Sequence, residues 1–222
     1  MPVRLDERLA AVAALATGAG TVCDIGCDHG KLACYMVQTG RAERAIATDI
    51  SAPSLRKAEQ LAAETGVYDR MQTRQGDGLD PVLAGEADTV VIAGMGGDLI
   101  ARILERACAQ GKRFKKLVLS PNTHPERVRE VLAKEGYTLT ADSVAECSGK
   151  PYTVIAAEEG GGESLSELQL AFGKFFASDA AFARRAAERL SELDTMLGEN
   201  PDAAGFKEKK ALLERALKEC GK

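Results

Sequence analysis

The stretch that decides the fold is residues 22–35, VCDIGCDHGKLACY, which follows the pattern of a buried strand, a glycine turn and the beginning of a helix. Val22 and Ile25 give the strand its apolar character, and Gly26 and Gly30 can adopt backbone angles that other residues avoid. A helix that begins directly after such a turn offers free backbone N–H groups in its first turn. The stretch therefore predicts a ligand pocket at the carboxyl edge of a parallel sheet.

The cysteines of this stretch form no recognisable metal or redox motif. Cys23, Cys27 and Cys34 with His29 match no common zinc spacing, and a C-x-x-C pair is absent. Cys23 falls inside the predicted strand and Cys34 inside the predicted helix. We therefore expect both to be small core residues, and we expect no bound metal.

The acidic residues around the turn indicate the chemistry of the ligand. The spacing D-x-G-x-x-x-G differs from the G-x-G-x-x-G of a dinucleotide site, and Asp24 directly before the turn would repel a pyrophosphate. Together, Asp24, Asp28 and Asp49 favour a cationic or hydroxyl-rich ligand. S-adenosylmethionine (SAM) fits, because it carries an ammonium, a sulfonium and a ribose diol but no phosphate. We expect Cys27 to be a turn residue that faces this cofactor.

Outward from this stretch, short apolar runs alternate with longer amphipathic ones, which predicts βαβ units and a parallel sheet with right-handed crossovers. An amphipathic helix is expected before the first strand. The last two strands are separated by a short turn only, so we expect them to form an antiparallel hairpin at the sheet edge. The expected fold class is α/β with seven strands, at residues 21–25, 43–48, 71–75, 88–93, 116–120, 137–146 and 151–158, and with helices at 30–39, 52–65, 96–109 and 124–135.

The next four strand ends carry residues that suit the same ligand. Asp49 ends the second strand, where it can accept both ribose hydroxyls, and Asp77 ends the third, where it can accept the adenine amino group. The fourth ends in AGMGG, residues 93–97, and the fifth ends in SPN, where Asn122 presents an amide. Each aspartate alone is also explained as a helix cap or turn former. Their recurrence at successive strand ends favours a methyltransferase.

After EEGGGES, residues 158–164, the chain changes character, since no strand pattern follows. SLSE, residues 164–167, predicts a capping box between Ser164 and Glu167. Apolar residues at helical spacing on both sides of GENPDAAG, residues 198–205, predict an antiparallel helical hairpin that resembles a short coiled coil. We expect a catalytic domain at residues 1–160 and a helical domain at residues 163–222.

The composition argues against several classes of protein. A formal net charge of −4 is unlike that of a protein that coats nucleic acid by bulk electrostatics. The six cysteines are dispersed, unlike the dense framework of a small secreted domain. No apolar run approaches the roughly 20 residues of a membrane span, and the first residues lack the pattern of a secretory signal. We expect a soluble protein of the cytoplasm.

The motifs of this chain resemble those of the bacterial tRNA (adenine-22-N1)-methyltransferase family, over nearly the whole length. The shared motifs are DIGCDHGKLACY, RQGDGL, IAGMGG, SPNTHPERVRE and GKPY, in this order. The resemblance implies a Rossmann-like SAM-dependent methyltransferase with a C-terminal coiled coil, and N1-methyladenosine in the D-arm region of tRNA as its product. The chain departs from the family pattern at Cys27, Gly30, Lys31, Ala33 and Ser120, where the family often has Ser, Ala, Tyr, Pro and Gln.

The resemblance also implies roles for individual residues. Adenine N1 can attack a methyl group directly and the product is cationic, so a carboxylate near the adenine edge would stabilise it. We expect Asp28 in this role, with N-capping of the following helix as the alternative, and we expect Asn122 and His29 to orient a flipped base. The expected cofactor-binding residues are Asp24, Gly26, Cys27, Asp28, Gly30, Asp49, Ile50, Asp77, Gly78, Ala93, Gly94, Met95 and Gly96.

The expected partner is tRNA. If the sixth strand runs parallel to its neighbours, the loop before the last strand lies on the cofactor side, where Lys150 and Tyr152 would reach the RNA by phosphate contact and stacking. The helical hairpin is either a second tRNA contact or a dimerisation arm, and a monomer is favoured. Two other functions stay open, namely methylation of a small molecule and SAM binding without catalysis. The basic residues expected on the hairpin's RNA-binding surface are Arg184, Arg185, Lys209 and Lys210.

Overall fold

The computed structural model describes residues 2–220, which divide between Ser164 and Leu165 into two compact units. The strands of the described chain all belong to the first unit, and the second unit is helical. Their boundary lies just beyond the glycine run at residues 160–162. Among the described residues, no helix is both long enough and apolar enough to cross a membrane.

The first unit is built on a single seven-stranded sheet, as the sequence predicts. Its strands are β1 (Ala19–Ile25), β2 (Ala42–Asp49), β3 (Met71–Gln75), β4 (Thr89–Ala93), β5 (Lys116–Ser120), β6 (Tyr137–Cys147) and β7 (Lys150–Glu159). Their order in the sheet is β3-β2-β1-β4-β5-β7-β6, and β1 to β5 run parallel. The order reverses at β1, so the carboxyl ends of β1 and β4 meet where a doubly wound sheet binds its ligand.

A helix precedes β1 as expected, and the four helices with predicted ranges agree with them to within one residue. They are α1 (Glu7–Leu15), α2 (Lys31–Gln38), α3 (Ala52–Thr65), α4 (Gly97–Ala109) and α5 (Pro125–Lys134). Local signals fix two of their starts, because Asp6 Oδ1 accepts the N–H of Leu9 at 2.7 Å and Ser51 Oγ accepts the N–H of Ser54 at 3.3 Å.

Strand β1 lies in the interior of the sheet, and side chains on both of its faces are buried. Val22 and Cys23 are fully buried, and Cys23 is in register with Ile46 of β2 and Val90 of β4. Such continuous apolar runs are typical of parallel strands that helices cover on both sides. Cys34, on α2, is fully buried too and neither thiol forms a disulfide, which confirms both cysteines as core residues.

Strands β6 and β7 form the predicted antiparallel hairpin at the sheet edge. Its turn is Ser148-Gly149, and both residues have positive φ angles, 52° and 73°, as a two-residue hairpin turn of type I′ requires. The expectation that β6 runs parallel to its neighbours was wrong, because β7 lies between β5 and β6 and is antiparallel to both. Two reversals leave β6 pointing the same way as β5, so the hairpin turn still lies at the carboxyl edge.

The second unit contains α6 (Glu167–Phe172), α7 (Phe182–Glu199) and α8 (Ala204–Cys220), of which α7 and α8 are the predicted hairpin. Three phenylalanine rings, Phe172, Phe176 and Phe182, contact one another with centroids 5.2 to 6.1 Å apart. Leu193 and Leu213 are buried in the same cluster. The apolar faces of the two long helices are therefore covered within one chain.

The capping box of the second unit lies two residues later than predicted. Ser166 Oγ accepts the N–H of Gln169 at 3.2 Å, and Gln169 Oε1 accepts the N–H of Ser166 at 3.0 Å. The predicted pair of Ser164 and Glu167 was wrong, because Glu167 is the first residue of α6 and cannot occupy the third helical position.

Candidate active site

A cavity of about 210 Å³ opens at the carboxyl edge of the sheet. It forms where the turn between β1 and α2 meets the end of β4 and helix α1. Six of the predicted site residues line it, and four further residues, from α1 and α2, were not predicted. The lining residues are Arg8, Leu9, Asp24, Gly26, Cys27, Asp28, His29, Lys31, Leu32 and Ala93.

Asp24 is the buried carboxylate of this cavity, with 5 % of its surface exposed. Burial raises the pKa of Asp24 to about 7; a backbone hydrogen bond from Ala33 opposes this shift, and the nearby charge of Asp49 adds to it. Within residues 2–220, no lysine, arginine or histidine forms an ion pair with Asp24. Since buried charges are normally paired, Asp24 is suited to a cationic group of a ligand.

Asp28 is the exposed carboxylate of the cavity, with 73 % of its side chain accessible. Its backbone lies in the left-handed region, with φ of 50°, a conformation that aspartate tolerates better than most residues. Helix α2 begins after Gly30, which occupies the N-cap position and offers no side-chain hydrogen bond. Asp28 is therefore not the cap of α2, and its carboxylate points toward solvent at the cavity.

His29 lies between an acidic and a basic side chain. Its Nδ1 is 3.3 Å from Oδ2 of Asp28, and its Nε2 is 3.0 Å from Nζ of Lys57, on the exposed face of α3. Lys57 belongs to no motif that the sequence offered. Only the packing of α3 beside α2 brings it to the turn.

The two glycines of the turn serve the packing of the protein itself. Gly26 has φ of 68°, and a Cβ there would lie 2.2 Å from Cε of Met95. Gly30 has φ of 67°, and a Cβ there would lie 2.7 Å from Cβ of Ala58, on α3. Gly26 lines the cavity, whereas Gly30 lets α2 approach α3 and does not line it.

Asn122, after β5, is held by the loop after β4. Its Nδ2 donates to the carbonyl of Gly94 at 2.7 Å, and its backbone N–H donates to the carbonyl of Met95 at 2.8 Å. Next to them, Gly96 is the N-cap of α4. These bonds fix the amide, because Nδ2 must face Gly94 and Oδ1 must face away from it.

Arg8 connects three parts of the site and was not predicted. Its Nη1 donates to Oδ1 of Asn122 at 3.4 Å, and its guanidinium lies over the ring of Tyr152, 5.2 Å from the centroid. It also lines the cavity. No local signal marks it, because Arg8 is one polar position of an amphipathic helix and reaches the site only through the docking of α1.

The ends of β2 and β3 lie beside the cavity. Asp49 accepts the N–H of Asp28 at 3.1 Å and the N–H of Ser51 at 2.8 Å, so it supports the turn that carries Asp28. Ile50, next to it, exposes 69 % of its surface.

Asp77, at the end of β3, is paired with Arg106 of α4 at 2.9 Å, a partner that the sequence did not indicate. Gly78 has φ of 58°, and its carbonyl accepts the hydroxyl of Thr48 at 3.1 Å. Neither residue lines the cavity.

The predicted RNA-contacting residues differ in exposure and in whether their charged groups already form ion pairs. Lys150 is exposed at the hairpin turn, and Tyr152 is half-buried beneath Arg8. In the second unit, Arg185 pairs with Asp179, and Lys210 pairs with Asp194. Arg184 and Lys209 are exposed and form no ion pair with any described residue.

The thiol of Cys27, in the turn after β1, is expected to have low reactivity. Cys27 lines the cavity but is only 8 % exposed, and burial together with the charges of Asp24 and Asp49 raises the pKa of its thiol. Over residues 2–220, no three His, Cys, Asp or Glu side chains are grouped so that they would hold a metal ion. The polar side chains that line the cavity are therefore the carboxylates of Asp24 and Asp28 together with Arg8, His29 and Lys31.

The chain is similar to known proteins over most of its length. A family model described as a methyltransferase domain matches residues 5–155. The tRNA (adenine(22)-N(1))-methyltransferase of Bacillus subtilis is 36 % identical over 219 residues, which cover 95 % of this chain and 92 % of that protein.

Two solved structures share the architecture over nearly their full length. The crystal structure of the B. subtilis M1A22 tRNA methyltransferase TrmK matches with a TM-score of 0.83 and 33 % identity, covering 97 % of this chain and 99 % of that one. A putative tRNA (m1A22) methyltransferase of Streptococcus pneumoniae, solved in complex with S-adenosyl-L-methionine, matches with a TM-score of 0.85 and 28 % identity, covering 96 % and 100 %.

Proposed function

Because the chain belongs to the family of the tRNA (adenine(22)-N1)-methyltransferases, we propose that it transfers a methyl group from SAM to N1 of adenine 22, in the D-arm region of tRNA. One observation carries the proposal. Asp24 is a buried carboxylate without a cationic partner among residues 2–220, and it shares a cavity with the exposed carboxylate of Asp28. This arrangement suits a cationic cofactor on one side and a base that becomes cationic on the other.

The residues around the cavity fit SAM by their chemistry. Asp24 would hold the ammonium group, and Asp49 would accept the ribose hydroxyls, since each of its oxygens keeps a lone pair beyond its backbone bond. Ile50 offers exposed apolar surface to the adenine ring, and Asp77, held by Arg106, would accept the adenine amino group. The backbone of residues 93–96 and the turn at Gly26 and Cys27 complete the proposed cofactor site. When bound, SAM supplies an electrophilic methyl group on a sulfonium.

Residues of the chain would stabilise the charge that develops on the target base and orient the base. Adenine N1 carries a lone pair, so no base has to deprotonate it, and the methylated ring is cationic. Asp28 would accept a hydrogen bond from the exocyclic amino group and offset the charge that develops on the ring. Asn122, fixed by Gly94, would orient the base through its remaining amide positions. N1 lies on the Watson–Crick edge, so a paired base would have to leave its partner first.

The proposed function is tested with an unmodified tRNA that carries adenine at position 22. After incubation with the protein and SAM, reverse transcription should stop at that position, because a methyl group on N1 blocks base pairing. A tRNA with guanine at position 22 serves as the matched control and should give no new stop. The absence of a SAM-dependent stop on the adenine substrate would reject the proposal in favour of a different acceptor.

The affinity for SAM is expected to depend on pH through Asp24. Its pKa of about 7 means that the carboxyl group is largely protonated at pH 6 and largely ionised at pH 7.5. Because an ammonium binds the ionised form, the affinity should rise about tenfold between these two values, with release of up to about one proton on binding at pH 6. Titration calorimetry in two buffers of different ionisation enthalpy measures both quantities.

The Asp24→Asn variant is the control for this pH dependence. It should bind SAM weakly at both pH values and release no proton, because its amide does not titrate in this range. Proton release that persists unchanged in this variant would assign the titration to another group.

We infer a tRNA-binding role for the hairpin turn and for the second unit. Lys150 would contact a phosphate, and Tyr152 would offer a stacking surface that Arg8 supports. Of the four basic residues predicted in the second unit, Arg184 and Lys209 form no ion pair with any residue among 2–220, whereas Arg185 and Lys210 are already paired. The apolar faces of α7 and α8 are covered within the chain, which favours RNA contact over dimerisation and a monomer as the working form. We also propose that the protein is cytoplasmic, since a tRNA substrate is compatible with that location.

Neutralising Arg184 and Lys209 together is expected to weaken tRNA binding. The double variant Arg184→Gln, Lys209→Gln should lose about two phosphate contacts. The negative slope of log affinity against log salt should therefore become less steep by about 1 to 2. Filter binding across a salt series measures this slope. Arg215→Gln, at an arginine of α8 that is paired with Glu167, is the matched control and should change the slope little. Equal slopes for the double variant and the wild type would contradict the assignment.

A further inference from the structure

Three polar side chains form a connected row that leads from α3 to the cavity. Nζ of Lys57 lies 3.0 Å from Nε2 of His29, and Nδ1 of His29 lies 3.3 Å from Oδ2 of Asp28. We name this row the Lys57–His29–Asp28 chain. Asp28 and His29 belong to the turn that the sequence motif contains, but Lys57 is 28 positions away from His29.

The chemistry of the first contact fixes the position of a proton. A lysine ammonium donates hydrogen bonds and cannot accept them. Its contact with Nε2 therefore requires a lone pair on that nitrogen. A neutral imidazole has one lone-pair nitrogen and one N–H group, so this contact favours the tautomer of His29 with its proton on Nδ1, the nitrogen that faces Asp28.

We propose that Lys57 is a positioning residue that holds His29 in the tautomer with its proton on Nδ1, and that His29 thereby orients the carboxylate of Asp28. The proposal rests on the proposed methylation of adenine, in which Asp28 offsets the charge of the base. It adds a residue of α3 to the site and gives His29 a role toward Asp28 instead of a direct role toward the base.

The geometry explains why this tautomer matters. With a proton on Nδ1, His29 attracts Oδ2 of Asp28, which leaves Oδ1 for the amino group of adenine. With its proton on Nε2, the ring would turn a lone pair toward the carboxylate, and two acceptors would repel each other. A neutral ring also adds no second positive charge beside a cationic product.

The tautomer can be measured directly, because the chain contains two histidines only. We expect the imidazole ¹⁵N spectrum of the free protein, at about pH 8, where free imidazole is neutral and free lysine is charged, to show His29 with its proton on Nδ1. His124→Gln assigns the signals by elimination. Lys57→Met keeps most of the aliphatic stem but removes the donor, so the signals of His29 should move toward the Nε2–H tautomer. Lys57→Arg retains a donor and should preserve the wild-type pattern.

Kinetics supply the second measurement. Lys57→Met should lower the turnover of tRNA methylation about threefold to tenfold, as expected for one lost hydrogen bond, with the Kd for SAM unchanged, and Lys57→Arg should restore most of it. Lys115→Met is the matched control, because Lys115 is also an exposed lysine with a side-chain contact, to Asp88 at 2.6 Å, but it precedes β5 at the edge of the sheet opposite the cavity. This variant should behave as wild type in both measurements.

An unchanged tautomer of His29 in Lys57→Met would overturn the proposal, even if turnover falls, because a simple phosphate contact by Lys57 would then explain the kinetics. The spectra need neither tRNA nor SAM. If the wild type methylated no tRNA, the proposed function would fail while the arrangement of the Lys57–His29–Asp28 chain would still be decided by the spectra.

Discussion

Replacement of Asp28 by asparagine is expected to lower the turnover of tRNA methylation about 100-fold, which is the usual effect of removing one group that stabilises transition-state charge. The Kd for SAM should stay within about threefold of the wild-type value, because the lost charge acts on the base and not on the cofactor. Single-turnover methylation and calorimetry separate the two effects.

Asparagine is the appropriate substitute because Asp28 has φ of 50°. Asparagine tolerates this left-handed conformation, whereas alanine would add backbone strain of about 1 kcal/mol or more to the loss of the carboxylate. Asp98→Asn is the matched control, since Asp98 is also exposed and also contacts a histidine, His124, at 2.6 Å. Wild-type turnover in Asp28→Asn would contradict the catalytic role and leave Asp28 only a structural role in the turn.

Replacement of Gly97 by alanine should be the most damaging of the glycine substitutions for stability. Gly97 is the first residue of α4, and a Cβ there would lie 2.1 Å from the carbonyl oxygen of His124 and 2.6 Å from that of Thr123. Backbone atoms cannot move aside as a flexible side chain does, so the segment that follows Asn122 has to shift. Overpacking of this kind costs about 1 to 3 kcal/mol. We expect the melting temperature to fall by several degrees, and turnover to fall with it.

Gly198→Ala, near the end of α7, is the matched control, because a Cβ there would meet no atom within 4 Å. A helical glycine without steric constraint should gain about 0.5 to 1 kcal/mol from the same substitution. Thermal unfolding of the two variants should therefore shift in opposite directions. A higher melting temperature for Gly97→Ala would contradict the close packing of α4 on residues 123–124.

The sheet and its ligand edge were predictable from sequence because they depend on local patterns. Apolar runs such as 88–93 and 116–120, with helical patterns between them, specify strands and crossovers, and β4 and β5 differ from the predicted ranges by one residue at most. The turn after β1 was predictable because glycines such as Gly26 and Gly30 are favoured where the backbone takes positive φ. The sequence did not decide whether Asp28 caps α2, because that depends on the residue at which α2 begins.

Other features required the folded chain. Arg8 and Lys57 reach the site from helices whose own sequences are ordinary amphipathic patterns, so nothing local distinguishes them from solvent-facing positions. The pairing of Asp77 with Arg106 likewise joins residues 29 positions apart. The capping box also depended on the folded chain. Ser164 with Glu167 and Ser166 with Gln169 both have the residue types of a capping box, and only the position at which α6 begins distinguishes them.

The sequence by itself determined the strand–turn–helix unit, the parallel sheet and the presence of Asp24, Asp28, Asp49 and Asn122 at its carboxyl edge, because period, glycine positions and strand ends are properties of neighbouring residues. The tertiary structure alone decided which of these groups share the cavity, that Asp24 is buried without a cationic partner among residues 2–220, and that Lys57 and Arg8 flank the turn. Burial and ionic partners arise from contacts between distant segments, and those contacts exist only after the helices have packed on the sheet.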